Sequence, residues 1–267
     1  MALSRNDEIK QMLTKSQLVD ELRLLGVNEG SVVEVHASLS SFGYIPGGAQ
    51  TVVDALIKAV GYDGTIVMPA QAWGNSEPSR WQHPPIEPDL FKPLRQQHPA
   101  FDPRSSTFDG MGQIANNLRL RQGTMISNHP TCAFMAYGKH AKWITQSQQI
   151  HFPLAMNSPL GKLLDLRADI LLLGVGYDNC TALHLAEAQT GVRPIQITGS
   201  AVDSGQGRQW RKYLDYDYDS DEFTRIGKRL EEYSLVRKLK IQDAECRLFN
   251  FPEALTVAIG YFKEKML

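Results

Sequence analysis

A three-layer α/β/α sandwich around a largely parallel or mixed central sheet is the fold class this chain predicts, and three observations carry the prediction. Residues 170–175, ILLLGV, are apolar without alternation, as a strand buried on both faces requires, and Gly174 and Gly176 stop the run where the chain must turn tightly. A strand over residues 32–36, a helix over residues 49–60 and a strand over residues 65–68, stopped by Pro69, form a strand–helix–strand unit of the parallel kind. A length of 267 residues lies at the upper end of what one core supports, so residues 1–267 are expected to form a single large domain.

The first element is a helix over residues 16–25. Thr14 or Ser16 can cap it, Leu18, Leu22 and Leu25 share one face, and Gly26 ends it. The strand at 32–36 leaves into a loop of small residues, Ala37, Ser38, Ser40, Ser41, Gly43, Gly47 and Gly48, ahead of a helix N-terminus. Backbone N–H groups there can approach an anion such as a phosphate, although the loop matches no Walker or Rossmann glycine pattern. Residues 73–108 are rich in proline and aromatics with little periodicity. They read as a long functional loop in which Trp73, Trp81, Phe91 and Phe101 favour order. A helix over residues 111–120, a turn at Gly123 and a strand over residues 132–137 follow, and Ser158 caps the helix that leads into the apolar strand. Beyond that strand, Asp178 or Asn179 can cap a helix whose first turns carry Thr181, His184 and Glu187. PIQITG at 194–199 reads as a strand. The stretch to residue 233 supplies a further strand and then a helix, and residues 248–267 close as an amphipathic helix.

Chemistry concentrates at two places. His184 and Glu187, three apart on a helix, lie on one face, where a carboxylate fixes the histidine tautomer and stabilises the imidazolium. The pair is thereby a candidate general base at the carboxyl edge of the sheet, although the same spacing also occurs in ordinary surface contacts. Asp215, Asp217, Asp219, Asp221 and Glu222 are interleaved with Tyr213, Tyr216 and Tyr218. Such a tract is either a solvated loop at a helix start or a set of carboxylates for an ammonium-rich ligand, to which tyrosines add hydroxyl hydrogen bonds and cation–π contacts.

Composition narrows the partners. A net charge of -1 and a pI near 6.7 point away from nucleic acid and from an anionic membrane. Cys132, Cys180 and Cys246 are odd in number with no CxxC or Cys/His spacing, which predicts reduced thiols in a cytoplasm and no metal site. Residues 1–15 are polar, with no apolar leader core, and no window reaches the length of a membrane span. The expectation is a soluble cytoplasmic protein.

The segment LLLGVGYDNCTALHLAE resembles the signature of the aminoglycoside 3-N-acetyltransferase family, and similar stretches run from about residue 15 to about residue 250. They include His36-Ala37-Ser38-Leu39-Ser40 followed by Gly47-Gly48, the long loop NSEPSRWQHPPIEPDLFKPLRQQHPAFDP, Ser127-Asn128-His129-Pro130, and Asn157-Ser158-Pro159-Leu160-Gly161. The resemblance implies acetyl transfer from acetyl-coenzyme A to the 3-amino group of an aminoglycoside, an antibiotic-resistance activity, with no metal. It implies His184 as general base and Glu187 as its orienting partner. It further implies that His36, Ala37, Ser38, Leu39 and Ser40, with Gly43 of the same loop, hold coenzyme A. Asp215, Asp217 and Tyr213 then serve a polycationic acceptor.

No G-x-S-x-G elbow offers a nucleophile, so direct attack by the amine is simpler than an acyl-enzyme. Thr181 is the side-chain candidate for the oxyanion, with loop N–H groups near Ser38 as the backbone alternative. Three positions depart from the family. Asn116 replaces the usual Glu and Ile126 the usual Arg, which leaves either altered acceptor chemistry or a lost structural ion pair. Cys180 replaces the usual Asn and is either a thiol nucleophile or a space-filling side chain. A different small biosynthetic amine as acceptor and a non-catalytic coenzyme-A-binding protein remain the alternatives, as a monomer or a homodimer.

Overall fold

The computed structural model describes residue 9, residues 11–108 and residues 110–267; most of the polar stretch on which the absence of a leader was expected lies outside them. In chain order the described residues form α1 (Lys15–Leu25), β1 (Val32–Ala37), α2 (Ala49–Val60), β2 (Thr65–Gln71), α3 (Phe91–Gln97) and α4 (Gly112–Arg119). There follow β3 (Met125–Ile126), β4 (Cys132–Gly138), α5 (Ala141–Thr145), α6 (Pro159–Asp165), β5 (Asp169–Leu173) and α7 (His184–Thr190). The last elements are β6 (Ile195–Asp203), β7 (Arg208–Tyr216), α8 (Phe223–Glu232), β8 (Val236–Ile241), β9 (Ala244–Asn250) and α9 (Phe251–Met266).

Seven strands form one sheet in the order β3-β4-β2-β1-β5-β9-β8, and β6 and β7 form a separate ribbon. β1 is parallel to both β2 and β5, whereas the outer pairings are antiparallel, so the sheet is mixed. Strand alternation sends side chains to opposite faces and builds two cores. Val33, Val35, Leu171 and Leu173 pack beneath α1, α2 and α4, while Val67, Ile170, Leu172 and Phe249 pack beneath α5 to α9. The sandwich has its three layers.

Several local readings need correction. Pro69 does not stop its strand: β2 continues to Gln71, with Pro69 opposite Phe134. The Phe134 N–H donates to Ser127 Oγ and its carbonyl accepts from the Ser127 N–H. Phe134 therefore asks nothing of Pro69, and β1 pairs with β2 only as far as Val67. β5 ends at Leu173, two residues earlier than expected. Gly174 takes φ +68° there, and an added Cβ would lie 2.5 Å from Ser41 Cβ, so the turn requires glycine. No long helix follows. Two 3-10 turns, Tyr177–Asn179 and Thr181–Leu183, lead into α7, and neither Asp178 nor Asn179 caps it. The hairpin β8–β9 carries no turn signal in the sequence, and it takes residues 248–250 from the expected closing helix, which begins at Phe251 with Pro252 in its first turn. Thr14 rather than Ser16 caps α1, in a reciprocal box with Gln17, and Ser158 caps α6 through the Leu160 N–H at 3.1 Å.

Candidate active site

β5 delivers the chain to the carboxyl edge of the sheet, and the two 3-10 turns compress the next ten residues so that Thr181 and His184 face back over β1. His184 Nδ1 is 2.6 Å from Glu187 Oε2, and Arg193 Nε donates to the other carboxylate oxygen. Arg193 also reaches the Asp219 carbonyl at 2.9 Å and its carboxylate at 3.2 Å. Glu187 is wholly buried, and among the described residues these partners hold its carboxylate. The His184 ring lies between Tyr218 and Phe223, with centroids at 4.9 and 4.8 Å. With Nδ1–H given to the carboxylate, Nε2 keeps its lone pair and can accept a proton.

His184 is also where two cavities meet. The first, of about 290 Å³, is lined by His36, Ala37, Thr181 and His184, and by apolar Met68, Met111 and Ile114. The second, of about 380 Å³, is lined by Glu77, Asp215, Asp217, Tyr213, Tyr216 and Tyr218 among others, and Gln71, Trp73 and His184 border both. Two buried polar atoms on the second wall, Gln196 Oε1 and Tyr218 OH, have no hydrogen-bond partner among the described residues. They can serve a ligand with hydroxyl and amino groups.

The carboxylates of the second cavity differ in environment. Asp215 is buried with Oδ1 on the Tyr216 N–H at 2.8 Å, and burial, reinforced by Asp217, pushes its carboxyl up to about 7. Burial also raises the Glu77 carboxyl, but hydrogen bonds from Arg95 and Ser79 outweigh it and hold the group below its ordinary value. Asp217 is exposed and 3.7 Å from Arg80 of the long loop. The acidic tract is thus divided. Asp219 braces Arg193, and Glu222 accepts from Lys265, Tyr261 and Arg225, a structural cluster that lowers its carboxyl to about 2.

Of the residues expected on the donor side, His36 and Ala37 line the first cavity, but Ser38, Leu39, Ser40 and Gly43 do not. The Ser38 N–H donates to the Leu173 carbonyl at 3.0 Å, which removes it as an oxyanion donor. Tyr213 borders the second cavity, yet its hydroxyl is tied to Thr131 at 3.0 Å and Ser200 at 2.9 Å. Cys180 is fully buried and borders neither cavity, and burial with Glu34 nearby pushes its thiol well above the ordinary value, which disfavours a thiolate. Burial raises Cys132 and Cys246 as well. His129 is structural, accepting the Cys132 N–H at 2.9 Å, and burial lowers it to about 4. Asn116 and Ile126 border neither cavity. Arg193, Gln196 and the roles of Tyr218 and Phe223 are not legible in the sequence, because each is a common residue type with no motif spacing to mark it. No group of residues suited to a metal ion occurs among the described residues, and no described helix is long and apolar enough to cross a membrane.

Comparison with known proteins adds to this geometry. Residues 35–263 match the family model for aminoglycoside 3-N-acetyltransferase. The SPbeta prophage-derived aminoglycoside N(3')-acetyltransferase-like protein YokD of Bacillus subtilis (strain 168) is 36% identical over 250 residues, covering 93% of this chain and 92% of that protein. Its crystal structure superposes with a TM-score of 0.92 over 95% of this chain and 94% of that one. AAC-IIIb, solved as a binary complex with coenzyme A, matches at a TM-score of 0.86 and 25% identity over 96% of this chain and 98% of its own. AAC-VIa, solved with sisomicin, matches at 0.84 and 28% over 96% and 99%.

Proposed function

The chain belongs to the aminoglycoside 3-N-acetyltransferase family, and from that premise we propose that it transfers the acetyl group of acetyl-coenzyme A directly to the 3-amino group of an aminoglycoside, with His184 as general base. The observation that carries the mechanism is the position of His184 at the junction of the two cavities, with Nδ1 committed to Glu187. The first cavity suits the thioester end of the donor: apolar Met68, Met111 and Ile114 match an alkyl arm, and His36 and Thr181 supply polar groups. The second suits a polycation, through Asp215 and Asp217 and the unpaired Gln196 and Tyr218 atoms.

In the reaction the amine lone pair forms the N–C bond while His184 Nε2 takes the amine proton. The carbonyl π pair moves to oxygen. When that pair returns, the C–S bond breaks, its electrons stay on sulfur, and His184 passes the proton to the thiolate. Glu187 stabilises the transient imidazolium, and Arg193 keeps the carboxylate in place. Thr181 Oγ1 remains a donor toward the oxyanion.

The test is acetyl-coenzyme A consumption against a panel of aminoglycosides such as sisomicin and gentamicin, set beside simple monoamines and diamines. Preferred turnover of the aminoglycosides supports the reading. Turnover confined to monoamines would replace the acceptor class, and no turnover with any amine would leave a binding protein.

A further inference from the structure

His184, Gln71 and Trp73 are the residues that border both cavities, and of these only His184 moves a proton in the reaction above. The acetyl group starts in one cavity and ends in the other, so its carbonyl carbon must sit at this junction when the amine attacks. The oxygen that gains charge there needs a hydrogen-bond donor within reach. Thr181 borders the first cavity alone. Two backbone N–H groups beside it are spent, Ser38 on the Leu173 carbonyl at 3.0 Å and Thr181 on His36 Nε2 at 3.4 Å.

Gln71 is the last residue of β2. Side chains alternate along that strand, and its register against β4 runs unbroken from Thr65 opposite Gly138 to Gln71 opposite Cys132. Gln71 therefore leaves the sheet on the same face as Val67, which packs in the second core with Leu183 and Leu185, the neighbours of His184 in the chain. The next residue, Ala72, donates its N–H to the Thr131 carbonyl at 3.0 Å, so the backbone at this point is held. Gln71 is only 7% exposed, yet its amide makes no hydrogen bond to a described residue. A buried amide without a partner is costly unless a ligand supplies one. Trp73, by contrast, is half exposed, and water can serve its indole N–H.

We propose that Gln71 is a catalytic residue whose Nε2–H donates to the thioester oxygen as the amine lone pair displaces the carbonyl π pair onto it. The charge is present on oxygen from formation of the N–C bond until the C–S bond breaks. Gln71 gives up no proton and forms no bond to carbon. A donor rooted on a strand and closed off from water needs no reorganisation at that moment, which is what makes it effective. The inference rests on the acetyl-transfer reading of the site. The opposite use of the amide, Oε1 accepting from the attacking amine, is separable by charge, because a carboxylate in its place would attract an ammonium group and repel an oxyanion.

Steady-state kinetics on Gln71→Leu, Gln71→Glu and Gln71→His, with the aminoglycoside that turns over fastest, test the proposal beside calorimetric titration with coenzyme A. Gln71→Leu should lose about 100- to 1,000-fold in kcat, the cost of one oxyanion donor, with aminoglycoside KM and coenzyme A affinity within a few fold. Gln71→Glu should be at least as slow. Gln71→His, which can put an N–H where the amide put one, should be at least about tenfold faster than either. The proposal is overturned if Gln71→Leu keeps wild-type kcat, if Gln71→Glu matches or exceeds Gln71→His, or if the whole loss lies in KM or in coenzyme A binding. Should Gln71→Leu not fold, the order of Gln71→His and Gln71→Glu decides the question. His184→Ala, run alongside, separates the two failures. If it too keeps wild-type rates, the acetyl-transfer mechanism has failed; if it alone is slow, only the role of Gln71 has.

Discussion

Glu187 is a buried carboxylate divided between a base and a guanidinium, and the division sets what its replacement does. Glu187→Gln can still accept the His184 Nδ1–H, but it withdraws the charge that supports the imidazolium and leaves Arg193 facing a neutral amide. We expect kcat to fall about 10- to 100-fold, less than on removing the base itself, which typically costs 100- to 10,000-fold. Steady-state kinetics on the two variants checks the order. Asp215 makes a prediction with a definite sign. Its carboxyl rises from 3.8 to about 7 in the folded protein, so the native state keeps a proton that the unfolded chain releases. Stability from this group is present below about pH 4 and is lost as pH rises through 7. The melting temperature of Asp215→Asn should therefore fall less than that of wild type between pH 5 and pH 8. Over the same range ionised Asp215 becomes available to an ammonium group. The dissociation constant of an aminoglycoside, titrated into the complex with coenzyme A, should tighten from pH 6 to pH 8 in wild type and stay flatter in Asp215→Asn.

At the scale of elements, α8 sets the shape of the site from behind. Phe223 in its first turn packs on the His184 ring, and Gly227, one turn later, lets the Tyr177 ring approach so closely that an added Cβ would lie 2.1 Å from it. Tyr177 opens the turns that lead to Thr181, and its hydroxyl donates to Glu231 at 2.9 Å. Gly227→Ala should destabilise the fold by about 1–3 kcal/mol by overpacking and lower kcat, read by thermal unfolding and kinetics; unchanged values of both would detach α8 from the site. The run at 170–173 and the strand–helix–strand unit were legible because buried parallel strands carry no alternation and α2 carries a clear apolar face. The β8–β9 hairpin was hidden because its turn, Gln242-Asp243, lacks the glycine that marks such turns, and Gln242 takes φ +55° without it. His184 and Glu187 were legible as a pair, though not the 3-10 turns that aim them.

The whole molecule joins two cavities at one imidazole, that of His184. The donor side is framed by β1 and α4 and sets Met68, Met111 and Ile114 beside polar His36, Gln71 and Thr181, while the acceptor side lies between the β6–β7 ribbon and the long loop, which is pinned by Arg208 to the His98 carbonyl at 2.7 Å and by Asn75 to Ala201. Asp217 at its mouth is exposed, so its attraction for a polycation is screened by salt. The KM for an aminoglycoside should rise with ionic strength, and Asp217→Asn should raise KM more than it lowers kcat and give a shallower salt dependence. A wild-type KM in both Asp215→Asn and Asp217→Asn would remove the acidic wall from acceptor binding. The most direct measurement of the central claim is the rate of acetyl transfer by His184→Ala to a saturating aminoglycoside, taken with its affinity for coenzyme A. A fall of at least about 100-fold in kcat is expected, with coenzyme A affinity within a few fold of wild type; a rate close to wild type would show that His184 is not the general base.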